Sequence, residues 1–340
     1  MFYALKKSII QAGLDYRKKH HPFREEDCEL FEIQPNDPHE VNNSFFLGAH
    51  LTSGEDLTLR LGLRNGGSSE LFVLYRHQGK LFYMEQDHYP TDECPVQVRC
   101  EQVGQRWRYT MQGFLRDAEG RRYATDMDVL FTATLPIYDF VQGPDRHEGM
   151  TSAIARAPWN RAFRQALSSS SQKHYEQTGR IGGYISIDGQ RRELDWPAVR
   201  DRAIGKRVWN FMDHHIWLNC TTDQGEALTF SVVSYPIMKH LFTGYTNIGR
   251  SVNVTLADYA LGEYDHCNGL GSDRIKVMPR WSDGRTMWIE ACRDSNVLCT
   301  FDGGDYIFQE GLGDFRINGV QARGNIEYGY NRDHSRWLNI

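Results

Sequence analysis

Nowhere in its 340 residues does this chain hold the roughly 20 consecutive apolar residues that a membrane-spanning helix requires. Its opening stretch, Met1 to Phe23, turns polar beyond Ile10 and does not read as a secretory leader. These two lacks point to a cytoplasmic protein without an integral membrane segment. An excess of positive charge is missing too. The net charge is −5 and the isoelectric point is near 6.2, which disfavours nucleic acid as a partner. The seven cysteines are odd in number and irregular in spacing, and no CxxC occurs. That excludes a disulfide framework and a zinc ribbon and leaves reduced thiols.

Familiar chemical motifs are also absent. There is no Walker P-loop, HExxH, GxSxG elbow or EF-hand loop. Gly311-Leu312-Gly313 runs into Asp314-Phe315-Arg316 and a strand pattern, so it is not a dinucleotide loop. Asp265-His266-Cys267 holds metal-binding residue types, but three adjacent residues rarely converge on one ion. Neither a metal nor a cofactor is therefore expected. Sequons at Asn42, Asn219 and Asn253 carry no weight without secretion.

What is present is aromatic and alternating. Tyr, Phe and Trp make up 12% of the chain, which suits sheets and an aromatic-lined cavity. Leu57, Leu59, Leu61 and Leu63 alternate with Thr58, Arg60 and Gly62, and Asn65-Gly66-Gly67 then turns the chain back. Similar turns recur at Gln78-Gly79, Glu119-Gly120, Asp188-Gly189, Gln224-Gly225, Asp283-Gly284 and Asn318-Gly319. Such spacing predicts antiparallel barrels or sandwiches. Phe2, Leu5, Ile9 and Leu14 recur at helical spacing, with Lys6, Lys7, Arg17, Lys18 and Lys19 between them. That helix packs on its own domain or on a partner chain, as in a homodimer; a membrane surface is the alternative seat. Trp159, Phe163, Ala166 and Leu167 after Pro158 predict a second helix, ended by Ser168 to Ser171. The expected division is an N-terminal helix over residues 1–27, a β domain over 28–157, a helical linker over 158–173 and a second β domain over 174–340. A faint echo between GFLRDAEGRRYATDMDVLF and GYISIDGQRRELDWPAVRD hints at duplication of the two halves.

The run from His174 to Trp217 holds the candidate chemistry. Asp213, His215 and Trp217 share one strand face, with His214 and Ile216 on the other. Arg207 and Trp209 share a face before them, and Asp201 and Arg202 precede these. Charge and imidazole on a strand that faces inward mark a pocket wall. Histidine exchanges protons near neutral pH, a carboxylate beside it raises its basicity, and Arg and Trp hold or cover developing charge. The structural alternative is an Asp201–Arg207 ion pair closing a strand crossing, with the Trp residues filling core. Tyr175 and Glu176 read as capping or interface residues at the helix end. Tyr245 and Glu263-Tyr264 line the same cavity or, equally, serve as core aromatics and a surface carboxylate.

The segments His174-Tyr175-Glu176-Gln177, Ile187-Asp188-Gly189, Val199-Arg200-Asp201, Gly205, Arg207 and Trp209 come in a familiar order. Gln105-Arg106-Trp107-Arg108 and Gly113-Phe114-Leu115-Arg116 precede them. Together they resemble the double-calycin, lipocalin-like family of carotenoid 1,2-hydratase-like proteins, and more closely the uncharacterised domain of phosphoenolpyruvate synthase-like proteins. The family's His-Ser after Arg-Asp is replaced here by Arg202-Ala203, so an imidazole role would fall to His214 or His215. The resemblance implies an all-β fold of two lipocalin-like antiparallel barrels in tandem. It also implies a cofactor-independent enzyme that hydrates, isomerises or cyclises a hydrophobic, unsaturated small molecule of terpenoid or polyketide type. Asp213, His215, His214 and Asp201 are then the acid/base candidates. Trp209, Trp217, Arg207, Tyr245 and Arg202 are the substrate-binding candidates. A non-catalytic carrier of a hydrophobic ligand is the rival, favoured by the missing family histidine and opposed by buried charge.

Overall fold

In the computed structural model of the protein, the described residues are 2–21, 24, 40–141, 148–169, 172–262, 272–301 and 304–336. Cys28, Asp265-His266-Cys267 and Glu263-Tyr264 lie outside them, as do the last two serines of the Ser168 to Ser171 cluster.

Period-two alternation is realised as two closed antiparallel sheets. The first barrel uses β1 (Glu40–His50), β2 (Glu55–Arg64), β3 (Ser68–His77), β4 (Lys80–Pro90), β6 (Arg106–Arg116), β7 (Arg122–Ala133), β9 (Lys173–Ile187) and β10 (Gln190–Lys206). These run in the order β10-β1-β2-β3-β4-β6-β7-β9, and pairing of β9 with β10 closes the ring. Two strands sit off this ring: β5 (Val96–Gln102) lies against β6, and the two-residue β8 (Tyr138–Asp139) lies against β9. The second barrel comprises β11 (His214–Thr221), β12 (Ala227–Tyr235), β13 (Met238–Thr246), β14 (Val254–Leu261), β15 (Arg274–Trp281), β16 (Ile289–Phe301), β17 (Tyr306–Ile317) and β18 (Val320–Asn331), closed in chain order. Three hairpins turn on two residues that both have positive φ, the type I′ geometry that suits twisted strands. They are Gln78-Gly79, Asp188-Gly189 and Asn318-Gly319.

The sheets divide later than the expected linker. Strands β9 and β10, assigned above to the second domain, complete the first barrel by pairing with β7 and β1. The crossover therefore falls at residues 207–213. A strand pattern says where strands lie, not which edge they close, and here the long β9–β10 hairpin reaches back. The two echoing segments are accordingly hairpins β6–β7 and β9–β10 of one barrel, not copies in two halves.

Helix α1 (Phe2–His20) forms as the spacing predicts, and none of its residues is buried. Lys6 reaches the Ala157 carbonyl at 2.9 Å, and Lys7 pairs with Glu148. Two short helices follow between the barrel strands, α2 (Glu148–Arg156) and α3 (Arg161–Ser169). Helix α3 is the one the Pro158 pattern predicts, whereas α2 was not anticipated. No helix among the described residues is long and apolar enough to cross a membrane.

Each barrel interior is filled. Leu57, Leu59, Leu61, Trp107, Met127, Phe131 and Ile181 pack the first. Ile216, Leu218, Phe230, Trp281, Phe315 and Tyr328 pack the second. The outward faces of β1, β2, β3 and β10 are buried as well, because they meet the outward faces of β11, β16, β17 and β18. Thus Thr58 and Arg60, polar positions of an alternating strand, lie not in water but in the seam between barrels.

Candidate functional site

Strand register builds the seam. Across the first barrel one outward row runs Glu176, Asp201, Phe45, Arg60 and Phe72. The next row runs His174, Ala203, Asn43, Gly62 and Glu70. Across the second barrel one row runs Tyr245, Thr229, Asn219 and Asn325, and its neighbour runs Ser231, Trp217 and Glu327. Residues of opposite parity on the same strands enter the barrel interiors.

Glu176 is the centre of the first polar cluster. It is fully buried, and its Oε2 accepts a 2.5 Å hydrogen bond from Thr229 Oγ1 and a 3.4 Å bond from Asn219 Nδ2, both from the other barrel. Its Oε1 has no hydrogen-bond partner of good geometry. Burial first, and the neighbouring Asp201 second, push its pKa well above the ordinary carboxylate range; the Thr229 bond opposes them. Asp201 is bonded to His174 Nε2 and, at 3.1 Å, to Asn43 Nδ2. Aromatic rings wall this cluster. Trp217 lies 5.1 Å and Phe140 4.5 Å from the His174 ring, while Tyr138 stacks on Tyr245 at 4.7 Å. Pairing of Tyr138 in β8 opposite Glu176 lays Tyr138 and Phe140 over the seam.

A second polar cluster lies further along. His215 bonds Tyr306 through Nδ1 and Glu327 through Nε2, each at 2.7 Å. Glu310 lies beside Glu327 and Asn325, and burial first and Glu327 second raise its pKa well above the usual range. On the first barrel, Glu70 accepts from Arg60, from Arg64 and, at 2.9 Å, from Trp209 Nε1. Burial alone would raise Glu70, but the two guanidinium groups outweigh it and draw its pKa down to about 2.

The residues singled out by sequence separate into these places. Asp201, Trp217 and Tyr245 meet at Glu176. His215 belongs to the second cluster. Trp209 stacks on Phe301 at 4.8 Å, with the Arg207 guanidinium 4.8 Å from its ring, beside Glu70. Three candidates do not reach the seam chemistry. Asp213 lies just before β11, buried between Lys239 and Arg336, where it ties down the chain end. His214 points into the second barrel beside Tyr330. Arg202 points into the first barrel over Trp107 and donates to the Asn43 carbonyl at 2.9 Å. One residue along a strand reverses the face, so Asp201 and Arg202, or His214 and His215, cannot serve one site.

Sequence reasoning named Glu176, His174 and Asn219 without giving them chemistry, and missed Thr229, Glu310 and Glu327 altogether. Glu176 is the fourth residue of strand β9 and not at a helix end. The available signal was the alternation His174, Glu176, Thr178 against Tyr175, Gln177, Gly179. The expected calyx also moves: the ionisable groups lie between the barrels, and the second barrel's interior is packed with apolar side chains.

His174 Nε2 and carboxylate oxygens of Glu176 and Asp201 lie within 4.8 Å of one another, a donor set that divalent metals accept. Two features distinguish it from a preformed metal centre. His174 and Asp201 already bond each other, and Glu176 is held toward its protonated form.

Comparison with known proteins places the architecture. An AttH-like protein of Nitrosomonas europaea superposes with a TM-score of 0.53 at 12% identity, over 89% of this chain and 100% of the other. Kievitone hydratase of Nectria haematococca superposes with a TM-score of 0.51 at 9% identity, over 90% of this chain and 93% of the other. At these identities the likeness is one of fold, the tandem lipocalin-like barrels. No curated protein sequence matches. The family model of a domain of unknown function, DUF7064, matches residues 32–332, and the chain belongs to that family.

Proposed function

We propose that the interbarrel seam is an acid/base active site that needs no cofactor and hydrates, isomerises or cyclises a hydrophobic, unsaturated small molecule of terpenoid or polyketide type. Hydration is the preferred form. The observation that carries this reading is Glu176: buried, pushed toward the neutral acid, and with one oxygen that lacks a hydrogen bond of good geometry beside the Tyr245 hydroxyl and the aromatic wall. An unmet oxygen in such a place costs about 1–3 kcal/mol, so a group that supplies a donor there is favoured. A carboxyl kept neutral by burial is a general acid.

In the hydration, the Glu176 O–H gives its proton to one alkene carbon, and the π electrons form the new C–H bond. Positive charge develops on the other carbon, faced by Trp217, Phe140 and Tyr138. Water adds there, and its surplus proton passes to the His174–Asp201 pair and back to Glu176. The balance is addition of H and OH across the double bond, with water as the co-reactant. Asp201 holds the imidazole, Thr229 and Asn219 hold the carboxyl, and Tyr245 shields it. The fold shared with kievitone hydratase, an enzyme named for a hydration, supports this class without naming the substrate.

The test is incubation of the purified protein with a panel of terpenoid and phenolic alkenes in ¹⁸O-labelled water, before and after chelation. Label incorporated at one carbon, lost in Glu176→Gln and unaffected by chelation, is the expected result. Recovery of every compound unchanged, with lipid co-purifying from the cells, favours the carrier reading instead. Loss on chelation would contradict cofactor independence.

A further inference from the structure

The acid at Glu176 leaves the second carboxyl cluster unexplained. Glu310 is fully buried on β17, and neither of its oxygens has a hydrogen bond of good geometry. The same holds for both polar atoms of Asn325, also fully buried, on the adjoining strand β18. Arg60 faces this cluster from the other barrel. Its Nη2 is bonded to Glu70 at 2.5 Å, whereas its Nη1 is buried without an acceptor. Five buried polar atoms of three residues thus lack a hydrogen bond of good geometry in one region, where Asn325 and Glu327 only approach Glu310 and where native proteins pair nearly all such atoms. As a purely structural device this is costly, and an apolar isostere would serve better.

We propose that Glu310, Asn325 and Arg60 form a second subsite in the seam that binds a hydroxyl group of the substrate. This rests on the reading of Glu176 as the acid. The atoms dictate the class. Arg60 Nη1 offers a donor, Asn325 a donor and an acceptor, and Glu310 an acceptor that in its neutral form also donates. An alcohol or phenol both gives and takes hydrogen bonds and is uncharged. An anion would meet Glu310 and Glu327, and a cation would meet Arg60. The separation gives a length. Glu176 bonds to Asn219 on β11 and Thr229 on β12, and β18 lies between β11 and β17. Asn325 is the register partner of Asn219 and Glu310 lies one strand beyond it, so one to three strand spacings, roughly 5–14 Å, separate the acid from the groups of the subsite. The substrate is an amphipathic alkene whose hydroxyl lies about that far from its reacting carbon.

Two independent measurements test this. The first is quenching of tryptophan fluorescence by farnesol, its methyl ether and farnesene, which share a skeleton and differ in the hydroxyl. Farnesol is expected to bind at least about tenfold tighter than the other two, the loss of one buried hydrogen-bonded group. Glu310→Leu and Asn325→Leu are expected to erase the preference while leaving farnesene binding intact. The second is thermal unfolding without ligand, where Glu310→Leu is expected to raise the melting temperature by about 2–4 °C. Equal binding of the three probes, absence of farnesol binding, a preference surviving both substitutions, or a melting temperature lowered by Glu310→Leu would each overturn the proposal. The acid reading stands or falls separately. Glu176→Gln abolishing label incorporation while the probes bind equally would sink the subsite alone, and the reverse pattern would sink the acid alone.

Discussion

Glu176 on β9 and Thr229 on β12 join the two barrels through a 2.5 Å hydrogen bond, the hydroxyl of one barrel held on the carboxyl of the other. Neither barrel contains the site by itself. The first supplies Glu176, the His174–Asp201 pair and, through β8, Tyr138 and Phe140, and the second supplies Thr229, Asn219, Trp217 and Tyr245.

Thr229→Val removes a bond that favours the ionised form of Glu176. The Glu176 pKa should rise further, so the alkaline limb of the pH–rate profile should move to higher pH. A profile recorded for wild type and variant side by side checks this. A shift to lower pH would contradict the assignment.

Asp201→Asn acts in the opposite direction. Asp201 is the second cause that raises Glu176, after burial. Without its charge the Glu176 pKa should fall and the alkaline limb should move to lower pH. The rate at the optimum should also drop, by about 10²–10⁴-fold if His174 takes the water's proton, because the imidazole loses its orienting carboxylate. An unchanged rate and profile would remove Asp201 from the mechanism.

Glu70 carries a stability prediction. Its pKa is drawn to about 2 by Arg60 and Arg64, below the 4.5 of an unconstrained glutamate. A depressed carboxylate stabilises the fold above its unfolded pKa, and that contribution fades as pH falls from about 4.5 toward about 2. Denaturant titrations over that window should show wild type losing stability more steeply than Glu70→Gln. Parallel losses would contradict the assignment.

The barrels are also locked at the far end of the seam, where Arg323 of β18 binds Asp56 of β2 at 2.6 Å with both side chains buried. Arg323→Met leaves Asp56 buried and unpaired, a change that costs about 3–5 kcal/mol. Unfolding should shift accordingly, whereas Asp56→Asn combined with Arg323→Met should recover part of the loss. Additive losses in the double variant would show that the pair does not act as a unit.

Much of the fold was legible because barrels are built from local signals. Alternation from Leu57 to Leu63 and the turn pairs Gln78-Gly79, Asp188-Gly189 and Asn318-Gly319 mark strands and hairpins within a few residues of one another. Barrel membership was not, since β9 closes on β7 and β10 on β1 through contacts far apart in sequence. The site was half legible for the same reason. Parity predicted that His215 and Trp217 face together, away from His214. It could not show that their outward face meets a second barrel, so Glu176 and Glu310 passed as ordinary polar positions. A strand with two buried faces looks, residue by residue, like one with a wet side.

The central claim is that Glu176 is a neutral acid buried between the barrels at neutral pH. Infrared spectroscopy of protein carrying ¹³C-labelled glutamate, as a difference between wild type and Glu176→Gln at pH 7, measures it most directly. The account predicts a protonated-carboxyl band that is present in wild type and absent from the variant, and that persists as pH rises well beyond the ordinary carboxylate range. A difference spectrum showing only ionised carboxylate would contradict it.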